Sequence, residues 1–170
     1  MIRNILLGLF TATLVAAPAA WAQDYSSSHR QFYGGDYQVV SRMNGLCLNV
    51  SGGLIHEGAL LITWDCVGAA NERFRAQRHG DQGWMRLTIA GPDGLYCVRA
   101  SIQQGRQMRL ARCGGEDQTF RFTARPPFAV ESSMGYCLNI EGQRLPRGTP
   151  VISWRCSGEP NEAWEFRRVY

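Results

Sequence analysis

The 170-residue sequence contains no lysine; all 18 basic residues are arginine, set against 14 acids for a net charge of +4. Without a lysine amine there is no Schiff-base chemistry, no Ser-Lys dyad and no P-loop. Histidine is scarce as well. His29, His56 and His79 are the only three, and none belongs to an H-E-x-x-H pattern, nor does the chain contain G-x-S-x-G. Charged residues make up only 19% of the chain, and the arginines alternate with acids along it. No stripe or tail therefore has the concentrated positive charge of a nucleic-acid surface. Close cysteine pairs are also missing: the nearest neighbours, Cys97 and Cys113, lie far beyond C-x-x-C spacing, which argues against a structural zinc site. No stretch beyond the first 22 residues holds a 3.6-residue apolar period long enough for a helix, or an apolar run long enough to span a bilayer.

What remains is 45% hydrophobic and 11% aromatic, a composition that builds a globular core. The chain starts with the short positive segment Met1-Ile2-Arg3-Asn4, followed by an apolar run from Ile5 to Ala17 and the small-x-small ending Ala20-Trp21-Ala22. These features predict a secretory signal peptide over residues 1–22, cleaved near Ala22, and a secreted or periplasmic protein. Exclusive use of arginine favours a GC-rich bacterial source. Residues 23–36, with Ser26-Ser27-Ser28 and Gly34-Gly35, read as a flexible tail. All six cysteines follow the cleavage point, and an even number in an exported chain implies disulfides.

Residues 37–170 contain three copies of one unit, at about 37–77, 83–124 and 128–169. The first and third match position by position. Gly45-Leu46-Cys47-Leu48-Asn49-Val50 answers Gly135-Tyr136-Cys137-Leu138-Asn139-Ile140, and Leu61-Ile62-Thr63-Trp64-Asp65-Cys66 answers Val151-Ile152-Ser153-Trp154-Arg155-Cys156. Asn71-Glu72-Arg73-Phe74 then answers Asn161-Glu162-Ala163-Trp164, at the same intervals. The second copy keeps the framework as Tyr96-Cys97-Val98-Arg99, Leu110-Ala111-Arg112-Cys113 and Asp117-Gln118-Thr119-Phe120. In the first copy Tyr37 to Arg42, Leu46 to Val50, Ala59 to Trp64 and Arg73 to Gln77 read as short strands between Gly, Asn, Asp and Pro turns. Four strands in each of three copies predict an all-β, pseudo-threefold barrel of twelve; three units are too few for a propeller, which needs about four to eight blades. The repeat also suggests the pairing Cys47 with Cys66, Cys97 with Cys113 and Cys137 with Cys156. Phe74, Phe120 and Trp164, aromatic in every copy, are assigned to the core.

Cys-Leu-Asn, then Trp-x-Cys, then Asn-Glu-x-aromatic, repeated over nearly all of residues 37–170, resembles the ricin-type β-trefoil lectins with their Gln-x-Trp repeats. The resemblance implies a β-trefoil and a non-enzymatic carbohydrate-binding module with no cofactor or metal. A competent repeat of that family holds a sugar with an acidic residue on the Cys-containing strand, a stacking aromatic near the second Cys, and an Asn beside the Gln. This mixture suits a pyranose, whose C–H patch packs on an aromatic face while its hydroxyls need fixed donors and acceptors. Carried over, it gives Asn49, Trp64, Asn71 and Glu72 in the first copy and Asn139, Trp154, Asn161 and Glu162 in the third. The second offers Arg99, Ala111 and Asp117, without a ring, and is expected not to bind.

Two departures recur in both good copies: Asn replaces the family's Asp, and Glu replaces its Gln. One reading is that the two side chains touch, so that each site keeps one carboxylate and one amide with the positions exchanged. The other is that the sites have decayed and Glu72 and Glu162 face water. Trp64 and Trp154 likewise read either as core or as stacking rings, with Ala111 at the matching position favouring the latter. The sequon Asn49-Val50-Ser51 falls on a proposed binding residue. The partners expected are glycans or glycoconjugates. The alternative is a non-catalytic interaction subunit that delivers a secreted toxin or enzyme; a hydrolase, needing a clustered carboxylate pair, stands third.

Overall fold

Residue alternation builds the strands, because each faces the core with every second side chain. In Phe74–His79, Phe74 and Ala76 are buried while Arg75 between them is exposed. The structure, a computed structural model, describes residues 34–80, 82–123 and 128–170. The expected signal peptide and most of the expected tail lie outside the described residues.

Twelve strands form one antiparallel system. They are β1 (Asp36–Ser41), β2 (Cys47–Val50), β3 (Leu61–Trp64), β4 (Phe74–His79), β5 (Trp84–Gly91) and β6 (Gly94–Arg99), then β7 (Arg109–Arg112), β8 (Phe120–Phe122), β9 (Val130–Ser132), β10 (Tyr136–Ile140), β11 (Val151–Arg155) and β12 (Trp164–Val169). β1, β4, β5, β8, β9 and β12 make the barrel: β1 pairs with both β4 and β12, β4 with β5, β5 with β8 and β8 with β9. The bridge Ala129↔Ala163 joins the remaining edges. The hairpins β2–β3, β6–β7 and β10–β11 cap one end, tied to one another by the bridges Leu60↔Arg109, Ile62↔Pro150 and Gln107↔Ile152. The fold is a β-trefoil. Between the strands, the only helical pieces among the described residues are single 3₁₀ turns, as the lack of apolar helical periodicity predicted.

Matching positions of the three repeats meet in the core. Leu48, Val98 and Leu138 are fully buried, as are Leu61, Met108 and Val151, and the aromatic set Phe74, Phe120 and Trp164. Trp164 also donates its indole N–H to the Leu138 carbonyl at 2.9 Å, so its one polar atom is satisfied inside. Disulfides join Cys47 to Cys66, Cys97 to Cys113 and Cys137 to Cys156, one within each repeat.

The β5–β6 turn carries a charged clamp. The Tyr96 hydroxyl donates to Asp93 at 2.6 Å and Arg112 donates to the other carboxylate oxygen at 2.5 Å. The Tyr96 bond, with Arg112 behind it, holds the Asp93 carboxyl below its usual range, and the same bond raises the Tyr96 hydroxyl.

Two predictions follow from this packing. Replacing Cys97 and Cys113 together by Ala removes one loop closure and lowers stability by about 3 kcal/mol in urea denaturation; an unchanged midpoint would show that the bridge constrains nothing. Because the Asp93 carboxyl is depressed on folding, its contribution is complete above the ordinary Asp value near ~4 and is lost as pH falls through the lower folded value. The stability gap between the native protein and Asp93→Asn therefore closes in acid, measured by denaturation across that range.

Candidate functional site

Strand register brings the expected residues together. Cys47 faces Trp64 and Asn49 faces Ile62 across β2–β3, and Cys137 faces Trp154 and Asn139 faces Ile152 across β10–β11. Directly opposed residues of an antiparallel pair share a face. Asn49, Trp64 and Asn71 thus line one cleft of about 440 Å³. Asn139, Trp154 and Asn161 line a second of about 530 Å³. Trp64 and Trp154 are 39% and 40% exposed, so neither belongs to the core.

Each ring leans on a neighbouring repeat. A Cβ placed on Gly148 would lie 3.6 Å from Trp64 Cζ3, and one on Gly105 would lie 3.5 Å from Trp154 Cζ3. Both glycines have φ near +80°, a second reason for glycine at these positions. Arg147, from the third repeat, places its guanidinium 5.4 Å from the Trp64 ring centroid and ion-pairs with Asp65 at 2.6 Å. The first cleft is therefore built by two repeats, and so is the third.

Glu72 and Glu162 lie beneath the clefts, both 0% exposed. The alternative in which they face water is wrong: each caps the turn that follows the second Cys of its repeat. Glu72 Oε1 accepts from the backbone N–H groups of Gly68 and of Ala69, the latter at 3.1 Å, and from Gln38 Nε2 at 2.8 Å. Its Oε2 accepts from Asn49 Nδ2 at 3.3 Å. Asn49 Oδ1 in turn accepts from Asn71 Nδ2 at 2.5 Å. A relay runs from the buried carboxylate through Asn49 to Asn71, and each amide orientation follows from the one before. In the first repeat, then, the exchanged carboxylate and amide do touch.

The third repeat differs. Glu162 accepts from the Ser157 N–H at 3.0 Å, the Ser157 hydroxyl at 3.3 Å and the Gly158 N–H, and no hydrogen bond joins it to Asn139 among the described residues. Asn161 Nδ2 still donates to Asn139 Oδ1 at 2.6 Å and to the Ile140 carbonyl at 2.9 Å. Those two acceptors fix the amide, which leaves Asn161 Oδ1 buried beside the cleft without a hydrogen-bond partner among the described residues. Having no surface, Glu72 and Glu162 act as supports and not as ligand contacts. Asn49, the sequon residue, is 3% exposed in the folded protein with its amide committed at both ends.

Sequence reasoning passed over three residues. Gly105 and Gly148 recur with Gly58 at one position of every repeat, which signals a backbone need but not the ring that each one meets. Gln143, beside the third cleft, holds φ at +54° where the first repeat has Gly53. A side chain kept at a left-handed position costs about 1 kcal/mol.

The second repeat lacks the stacking ring, since Ala111 stands opposite Cys97. Gln118 occupies the position of Glu72 and Glu162 and caps the same turn. Its Oε1 accepts from the Gly114 and Gly115 N–H groups at 2.7 and 3.0 Å, and its Nε2 donates to the Arg112 carbonyl at 2.6 Å. Arg99 and Asp117, where the other repeats carry the paired amides, form an ion pair.

Residues 84–169 match the ricin-type β-trefoil lectin domain, and residues 22–111 match the ricin-type β-trefoil lectin domain-like family. The chain belongs to the ricin-type β-trefoil lectin family. Among solved structures, the designed threefold-symmetric protein ThreeFoil is 23% identical over 79% of this chain and 99% of its own, with a TM-score of 0.72. The C-terminal half of the earthworm R-type lectin, solved with GalNAc, is 18% identical over 79% of this chain and 99% of its own, with a TM-score of 0.61. An exo-β-1,3-galactanase from Clostridium thermocellum is 18% identical over 80% of this chain, with a TM-score of 0.72, but the match spans only 30% of that enzyme. At these identities the likeness shows the fold. No curated protein matches the chain significantly.

The relay makes a specific prediction. Glu72→Gln sets an amide donor against Asn49 Nδ2, and Asn49→Asp sets two carboxylates against each other. Each single change is expected to destabilise by about 1–3 kcal/mol. The double change restores a matched pair and recovers most of the loss, a coupling that a denaturation double-mutant cycle reads directly. Additive effects would show that the two side chains do not act as a pair.

Proposed function

We propose that the protein is a secreted, non-catalytic carbohydrate-binding module that holds glycans in the clefts of its first and third repeats. The observation that carries this reading is the pair of half-exposed tryptophans, each standing over a cleft lined by two oriented asparagines. A ring at the edge of a polar recess offers a stacking face for sugar C–H groups, and the asparagines offer directed hydrogen bonds for hydroxyls. In this reading Trp64 and Trp154 stack on the ligand, Asn71 and Asn161 meet its hydroxyls, Asn49, backed by Glu72, and Asn139 hold those amides in place, and Glu162 supports the turn beneath the third-repeat cleft. Lectin relatives of the same fold, among them the earthworm protein solved with GalNAc, support sugar as the ligand class. Three disulfides among the described residues, and no described helix long and apolar enough to cross a membrane, fit an extracellular site of action.

Two shallow sites give modest individual affinities and gain strength on multivalent glycans. A glycan-array screen of residues 23–170 beside Trp64→Ala, Trp154→Ala and the double variant tests the assignment. Each single change is expected to weaken binding to a monovalent ligand about tenfold at its own site, from the lost stacking area. The double variant is expected to bind no neutral glycan on the array. Neutral-glycan binding that survives the double change overturns these sites, and a folded native protein that binds no glycan shifts the reading to a protein-interaction subunit.

A further inference from the structure

The register that places Asn opposite Ile in the two clefts places Arg99 opposite Arg109 in the second repeat. Asn49 and Ile62 line the first cleft, and Asn139 and Ile152 the third, so the two arginines stand on the equivalent surface of the second. Both are exposed. Like charges directly opposed across a sheet repel, and their Cβ atoms are only about 5 Å apart. Among the described residues one carboxylate, Asp117, ion-pairs with either arginine, and it accepts from Arg99 Nε. Arg109 has no hydrogen-bond or ion-pair partner among the described residues. No ring stands between the strands, since the buried Ala111 takes the place of Trp64 and Trp154, and a Cβ on Gly58, the glycine that matches Gly105 and Gly148, would meet nothing within 4 Å.

We propose that the second repeat is an oxyanion site, in which Arg99 and Arg109 together take a sulfate or carboxylate group of an acidic saccharide. Arg99 is aimed by its bond to Asp117, which leaves its terminal N–H groups uncommitted, and Arg109 supplies the second planar fork across the strand pair. Two arginine side chains on directly opposed positions are long enough to reach one tetrahedral or planar oxyanion, whose charge relieves their repulsion. The loss of the ring and the paired amides thus converts the site from neutral to charged recognition. That the anion is carried by a saccharide rests on the carbohydrate-binding reading above; the oxyanion site itself does not.

The test titrates residues 23–170 with a sulfated oligosaccharide, an unsulfated uronic-acid oligosaccharide and a neutral one of equal length, and separately with inorganic sulfate while following the arginine Nε–H resonances by NMR. The proteins are the native chain, Arg109→Gln, Arg99→Gln/Arg109→Gln, the charge-matched control Arg75→Gln/Arg121→Gln, and Trp64→Ala/Trp154→Ala. Arg109→Gln leaves the Arg99–Asp117 pair intact, so it reads binding without disturbing the repeat. Acidic-saccharide binding by the native chain is expected to fall about tenfold or more in the Arg99/Arg109 variant and severalfold in Arg109→Gln, while the control changes little. Inorganic sulfate is expected to shift the Arg99 and Arg109 resonances. Sulfated-only binding assigns sulfate, and uronate binding assigns carboxylate. The proposal is overturned if the Arg99/Arg109 variant binds acidic saccharides as the native chain does, if the control loses as much, or if the native chain prefers neither acidic probe and sulfate moves neither resonance. Loss of neutral-saccharide binding in the tryptophan variant reads the other two sites alone, so failure there is separable from failure here.

Discussion

Every repeat has to close the same turn, from its second cysteine to its core aromatic, with two backbone N–H groups pointing inward to a buried side-chain oxygen. Leaving such donors unpaired costs about 1–3 kcal/mol each, so one side chain of each repeat is spent on them. That side chain is Glu72, Gln118 or Glu162, and all three are buried. A carboxylate and a carboxamide serve equally well toward the turn, because each offers an oxygen acceptor. They differ in what the other terminal atom does. In Gln118 it is a donor and finds the Arg112 carbonyl; in Glu72 it is a second acceptor and finds the Asn49 amide.

The choice of capping residue therefore propagates to the surface. Once Glu72 accepts from Asn49 Nδ2, Asn49 must turn its oxygen toward Asn71, and the cleft inherits a defined amide arrangement from a residue that it never exposes. The third repeat reaches the same Asn139–Asn161 geometry with a different partner set, since the Ser157 hydroxyl takes up the second carboxylate oxygen. One surface pattern is thus supported by two buried networks, and a substitution beneath one cleft has no necessary counterpart beneath the other.

Much of the fold was legible because repetition reports it three times. Cysteines, core aromatics and strand runs recur at matching places, and a position that is Leu48, Val98 and Leu138 in turn identifies itself as core without any coordinate. The clefts were less legible where they depend on contacts between repeats. Gly105 and Gly148 recur with Gly58, but nothing in the sequence says that the glycine of one repeat abuts the tryptophan of another. Glu72 and Glu162 were misjudged in part for a general reason: a glutamate is a poor guess for a fully buried residue unless its donors are known, and here they are backbone N–H groups that no side-chain pattern displays. Comparison with Gln118, which stands at the same place in the sequence, held the clue that the position caps a turn.

Divergence of the second repeat can be understood in the same terms. Its framework residues, including the capping Gln118, are under the constraint of folding and persist. Its surface residues are free of that constraint, yet they are not small neutral side chains. Where the first and third repeats carry Asn, Ile and Asn, the second carries Arg99, Arg109 and Asp117, three charged residues on the corresponding surface. An apolar residue beside an amide needs no such company. Two arginines on facing strands need at least one carboxylate to be tolerated, and Asp117 supplies it to the one it reaches. The second arginine, without an ion-pair partner among the described residues, keeps an unbalanced positive charge on the surface that corresponds to the clefts of the other two repeats.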